Sequence, residues 1–163
     1  MNLMTIKIIQ KKSANFDKRP QGKKIKSIII HYTGMKTLNQ AIERLCDKKS
    51  KVSSHYLIAR NGIIIKLVDE KNRAWHAGIS RWKGVDNLND ISIGIELENP
   101  GHEFGYIPFS QKQMSSLIYL CKKIKKKYKI KAEWVLGHSD VAPDRKKDPG
   151  ENFDWNSIKK IFE

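Results

Sequence analysis

The residues in this chain best suited to holding a metal ion and moving protons are far apart in sequence. Near the C-terminal end, Trp134-Val135-Leu136-Gly137 delivers His138, and Asp148 follows on a loop stiffened by Pro143, Pro149 and Gly150. A histidine and an aspartate on such a loop can converge on one point, which is half of a metal site. His31, at the end of the apolar run Ile28-Ile29-Ile30, can supply a second imidazole. Two imidazoles and one carboxylate make a three-ligand zinc site with a fourth position open. Such a site acidifies water and polarises a carbonyl, which is hydrolase chemistry. Glu96 on a neighbouring strand would take a proton from that water and pass it to a leaving amine. Lys146 would stabilise a developing oxyanion. Spacing alone does not assemble this set; it makes the set chemically coherent. Each member also has an ordinary reading, His138 and Asp148 as loop residues and Glu96 as a solvated acid on an exposed sheet face.

The elements that must position these side chains read as one α/β domain. Ile28, Ile29 and Ile30 in an unbroken row predict a strand covered on both faces, ending in His31 and the turn Tyr32-Thr33-Gly34. Such strand ends are where ligands gather in α/β sheets. Leu38 to Asp47 reads as a helix with Ile42 and Leu45 inward. His55 to Ala59 and Ile63 to Val68 read as a hairpin about Arg60-Asn61-Gly62. From Lys71 to Asp90 the pattern breaks into a long aromatic and polar loop, with Trp75-His76-Ala77-Gly78 and Arg81-Trp82-Lys83-Gly84, of the kind that forms a binding wall.

Ile91 to Leu97 alternates, with Ile91, Ile93, Ile95 and Leu97 on one side and Ser92, Gly94, Glu96 and Glu98 on the other. Glu96 therefore faces away from the apolar side, next to a glycine that leaves space beside it. Pro100 to Pro108 is loop. Ser110 with Gln113 reads as a capping box opening the longest helix, to about Lys127. Met114, Leu117, Ile118, Cys121, Ile124 and Tyr128 form its core stripe, and Lys122 to Lys127 its solvated face. Asp154 caps a last short helix ending near Ile161 or Phe162. Residues 1–23 are polar and basic, an N-terminal extension with a short edge segment at Ile6 to Ile9; residues 24–163 form the catalytic domain.

Composition narrows the classes. A chain of 163 residues, 39% hydrophobic and 30% charged, is a globular domain long enough for a real core. No apolar run approaches the roughly 20 residues of a membrane span, and Met1 to Gln10 is too soon interrupted by Lys11-Lys12 for a signal peptide. Cys46 and Cys121 fall on apolar helix sides and read as core residues, with no Cys-x-x-Cys pair for a zinc knuckle. The net charge is +15, but only six of the 32 basic residues are Arg. A nucleic-acid surface would use more Arg, so the charge points to anionic ligands or surfaces rather than to nucleic acid.

Five segments carry a resemblance. They are Ile28-Ile29-Ile30-His31-Tyr32-Thr33, Ser53-Ser54-His55-Tyr56-Leu57-Ile58, Ala74-Trp75-His76-Ala77-Gly78, Ser92-Ile93-Gly94-Ile95-Glu96, and His138-Ser139-Asp140-Val141-Ala142-Pro143 continuing to Asp148-Pro149-Gly150. In this order they resemble the zinc-dependent N-acetylmuramoyl-L-alanine amidases, which include phage T7-type lysozymes and peptidoglycan recognition proteins. The match is closest to the bacterial branch that cleaves muropeptides released in wall turnover, 1,6-anhydro forms included. Gly78 to Gly84 and Leu88-Asn89-Asp90 are similar to its envelope member.

The resemblance implies a central mixed β-sheet flanked by helices, with zinc held by His31, His138 and Asp148. It makes Glu96 the general base and Lys146 the lysine near the metal, with Lys147 one residue away as the alternative. Trp75 and His76 match the wall that contacts the sugar-peptide substrate. Phage and animal relatives place a tyrosine just before the histidine of the His55 segment; Ser54 stands there in this chain, which favours Glu96. His55 is expected to be structural and His102 to lie on the surface. The implied partners are peptidoglycan fragments, with a non-catalytic peptidoglycan-binding protein on the same fold as the rival reading. Compartment, periplasm or cytoplasm, and oligomeric state stay open.

Overall fold

The computed structural model describes residues 6–163, so the first half of the Met1 to Gln10 stretch lies outside it. A six-stranded mixed sheet runs through the centre. Its strands in chain order are β1 (Ile8–Gln10), β3 (Ser27–Tyr32), β4 (Tyr56–Ile58), β5 (Ile64–Lys66), β9 (Ser92–Leu97) and β10 (Val135–Gly137). Across the sheet the order is β1-β5-β4-β9-β3-β10, and the β4–β5 hairpin is its antiparallel pair. The three strands β9, β3 and β10 are parallel neighbours, with His31 level with Glu96 and Gly137 level with Ile30. Register thus brings the chemistry-bearing residues to the carboxyl ends of adjacent strands.

Helices and the long loop cover the two faces, and the central strands bury an apolar side against α3 and α5 while their other side carries both apolar residues and the polar groups of the site. On one face Ile28, Ile30, Ile93, Ile95 and Leu97 pack against Leu117, Cys121 and Ile124 of α3 (Gln111–Tyr128) and Ile158 of α5 (Trp155–Lys159). On the other, Leu57 and Ile65 pack under Ala41 and Leu45 of α1 (Leu38–Cys46), while Ile29 meets Ala77, Leu88 and Val141. Truncating a fully buried residue such as Leu117 to Ala would cost roughly 2–5 kcal/mol. Among the described residues no helix is long and apolar enough to cross a membrane.

Residues 8–18, placed by sequence in the extension, contribute β1 to the sheet edge and β2 (Phe16–Lys18), which pairs with β6 (Asn72–Ala74). The long loop also holds a small hairpin, β7 (Arg81–Trp82) and β8 (Val85–Asp86), turning on Lys83 and Gly84, both at positive φ. Gly101–Phe104, expected as loop, forms the short α2. The helix caps follow the sequence with one correction. Ser110 Oγ accepts from Gln113 N, as in a capping box. The Gln113 amide, however, does not return to Ser110. It is fully buried and donates to Ile58 O and Glu98 O, tying α3 to two strands, because an inward-facing amide must satisfy its donors there.

Candidate metal centre

His31 sits in β3, and His138 opens the short α4 (His138–Val141) directly after β10. Asp148 returns to them because its loop is pinned: its carbonyl accepts from Ser139 N. The result is a buried triangle. His31 Nδ1 and His138 Nδ1 are 3.0 Å apart, and Asp148 Oδ2 is 3.1 Å from each. Among the described residues these three form the group able to hold a metal ion.

Whether a cation belongs there is decided by the protons. His138 Nε2 contacts Ala77 O at 3.0 Å, and a carbonyl can only accept, so this nitrogen carries the proton. Burial, with His138 adjacent, lowers the His31 pKa to about 4, so its ring is neutral. His31 Nε2 is engaged with His76 Nδ1 at 3.0 Å. Two imidazole nitrogens and a carboxylate oxygen therefore face one another across a space that a cation would satisfy. Ligands about 2 Å from one tetrahedral ion stand roughly 3.3 Å apart, close to the spacing observed. The donor set fits a divalent metal.

Glu96 lies beside this triangle in the same cleft of about 480 Å³, which Lys146, Trp75, Arg44 and Tyr32 also line. It is half-buried, and its Oε2 is sealed from solvent without a hydrogen-bond partner among the described residues. Burial pushes this carboxyl well above the usual carboxylate range, and the Asp148 charge adds to the effect while Lys146 opposes it. The reading of Glu96 as a solvated acid on an open sheet face does not survive this. Lys147 is exposed and lies outside the cleft lining, so of the two lysines Lys146 is the one at the site.

Other positions sharpen or change the expected picture. Trp75 lines the cleft. His76 reaches its base, but the ring is 8% exposed and both nitrogens are engaged, with His31 and with Ser92 Oγ. The space beside Gly94 is filled by that ring: a Cβ on Gly94 would lie 2.4 Å from His76 Cγ. His55 is fully buried, its Nδ1 accepts from Gly94 N, and its Nε2 meets Asn72 O. Both ring nitrogens are thus engaged, and burial lowers the pKa to about 4. His102 is exposed, as expected, and is fixed there by Tyr32 Oη and Glu151 and stacked on Tyr106.

Sequence reasoning gave no role to Arg19, which donates to the carbonyls of Glu70, Asn89, Asp90 and Ser92 beneath the site. No periodicity marked it, since it stands in an irregular segment. Asn89 and Arg145 were likewise given no role, although Asn89 lies in one of the stretches that carried the resemblance.

Fold and site together define an α/β domain with a metal-compatible His-His-Asp centre at the carboxyl ends of parallel strands. The sequence profile of the N-acetylmuramoyl-L-alanine amidases matches residues 21–151, and the chain belongs to that family. N-acetylmuramoyl-L-alanine amidase AmiD of Escherichia coli K12 is 42% identical over 167 aligned residues, which take in 93% of this chain and 59% of AmiD. The 1,6-anhydro-N-acetylmuramyl-L-alanine amidase AmpD of Haemophilus influenzae is 38% identical over 164, taking in 90% of this chain and 87% of that one. The solved complex of E. coli AmiD with anhydro-N-acetylmuramic acid-L-Ala-D-gamma-Glu-L-Lys superposes with a TM-score of 0.77 at 41% identity, over 88% of this chain and 60% of AmiD. The chain therefore spans about three-fifths of AmiD.

Proposed function

We propose that this chain hydrolyses the amide between the lactyl carbonyl of N-acetylmuramic acid, or its 1,6-anhydro form, and the L-Ala of peptidoglycan fragments. The observation that carries the reading is the convergence of three ligand atoms beside a buried carboxyl oxygen that none of the described residues satisfies. His31, His138 and Asp148 would hold zinc, whose usual ligands are of these types. When bound, zinc supplies a Lewis acid that lowers the pKa of water and polarises a carbonyl.

The protein's own groups do the rest. Glu96, raised in basicity by its burial, takes the proton as water attacks the lactyl carbonyl carbon. Lys146 Nζ, on the cleft wall, places positive charge where the carbonyl oxygen becomes an oxyanion. Glu96 then returns the proton to the L-Ala nitrogen, the C–N bond breaks, and free stem peptide leaves. Trp75 offers the sugar-peptide an apolar wall beside the reacting bond. Arg44, Lys146 and the net charge of +15 favour a substrate that carries carboxylates.

Glu96→Gln tests this assignment because the amide keeps size and hydrogen-bonding capacity but cannot accept the proton. Turnover on an anhydro-muropeptide is expected to fall about 10²–10⁴-fold, with zinc stoichiometry unchanged. A variant with wild-type kcat would remove Glu96 from the mechanism.

A further inference from the structure

The outer nitrogens of both imidazole ligands are held by one short stretch, residues 74–78, and the proton on each can be traced from carbonyl acceptors outside the metal site. Ser92 Oγ lies 2.6 Å from Leu88 O and must donate its single proton there. In its 3.0 Å contact with His76 Nε2 it can then only accept, so His76 is protonated on Nε2. No acidic side chain among the described residues is bonded to His76; the ring stays neutral and its Nδ1 is a lone pair. His31 Nε2, 3.0 Å from that lone pair, must be the donor. His31 Nδ1 is left bare, aimed at Asp148 and His138. For His138 the same result comes directly from the Ala77 carbonyl.

This stretch is itself clamped. Asn89 Oδ1 accepts from His76 N at 3.1 Å and from Ala77 N at 2.8 Å. Arg145 donates to Ala77 O and Ile79 O. One Asn side chain thus fixes both the ring behind His31 and the carbonyl behind His138. Outer partners of this kind set the tautomer and orientation of metal-ligating histidines in general.

We propose that His76 and Asn89 are positioning residues that preset both imidazoles as Nδ1 ligands, His76 through His31 and Asn89 through the Ala77 carbonyl on His138. The inference rests on the metal reading above and changes the role expected of His76, from substrate wall to support of a ligand. It also accounts for Gly94: only a residue without Cβ admits the His76 ring at this depth.

The test uses the whole chain and two readouts besides activity. Imidazole ¹⁵N–¹H correlation spectra of the metal-free protein should show His31 and His138 protonated on Nε2 and bare on Nδ1. Zinc affinity, measured by competition with a chromophoric chelator, should fall about 10–100-fold in His76→Leu and in Asn89→Ala. In His76→Asn, whose amide oxygen can stand where Nδ1 stood, it should recover to within a few-fold of wild type. His31 protonated on Nδ1 in the wild-type spectrum would overturn the proposal, whatever the variants do. So would wild-type zinc affinity in both His76→Leu and Asn89→Ala. A wild-type protein with the expected tautomers that binds no zinc would instead overturn the metal reading.

Discussion

Replacing Gly94 by Ala is the sharpest structural perturbation available, because one methyl group sets the sheet against the metal ligands. The new Cβ would stand 2.4 Å from His76 Cγ, 2.6 Å from Cδ2 and 2.7 Å from Nδ1, roughly 1 Å inside ordinary contact. Neither side can yield freely. Gly94 lies mid-strand, donates to His55 Nδ1 and accepts from His55 N. The His76 ring is held by His31 and Ser92, and its backbone N–H by Asn89. Overpacking of this kind costs roughly 1–3 kcal/mol, and each displaced ring hydrogen bond about 0.5–1.5 kcal/mol more. The sum is about 2–6 kcal/mol, which at this chain length lowers Tm by roughly 4–24 °C. Differential scanning calorimetry of the metal-free protein reads the loss, and chelator competition reads the accompanying drop in zinc affinity. A variant that melts within a degree of wild type and binds zinc equally would show that His76 is not packed against Gly94, and the relay to His31 would fail with it.

Lys146→Ala should lower kcat on a muropeptide about 10²–10³-fold, the loss expected for a group that stabilises an oxyanion. Lys147→Ala, outside the cleft, should stay near wild type; the reverse order in steady-state assays would reassign the role. Glu70 gives a pH prediction. Burial opposes its charge, but hydrogen bonds from Lys127, Tyr56 and Tyr128 outweigh this and hold the carboxyl below its usual range. A depressed folded-state pKa stabilises above the unfolded carboxylate value and is lost as pH falls through the folded one. Glu70→Gln should therefore be about 1–2 kcal/mol less stable than wild type at pH 7 in urea titrations. The gap should narrow as pH falls below the ordinary carboxylate range, and one that widened in acid would contradict the network.

What the sequence made legible followed periodicity. The isoleucine row before His31 and the alternation through Glu96 placed two central strands, because burial on one or both faces leaves a pattern in the order of residues. The capping serine at Ser110 and the apolar stripe of α3 were equally readable. The site residues came together because parallel register carries His31, Glu96 and the Gly137-His138 step to the carboxyl ends of adjacent strands.

Long-range polar contacts left no such pattern. The polar side of β9 looked open because its cover, residues 71–91, has no period; what fills that space is one imidazole. Gln113 matched a capping box in sequence, yet two strand carbonyls compete for its amide and win. Arg19 bonds four carbonyls that lie 51 to 73 positions away, which no local pattern announces.

The most direct test of the amidase reading is mass spectrometry of products after the purified chain is incubated with defined anhydro- and reducing-end muropeptides, with and without a zinc chelator. Release of free stem peptide, abolished by the chelator and restored by added zinc, is the predicted result. Intact muropeptide recovered from the zinc-loaded protein, bound but not cleaved, would contradict it.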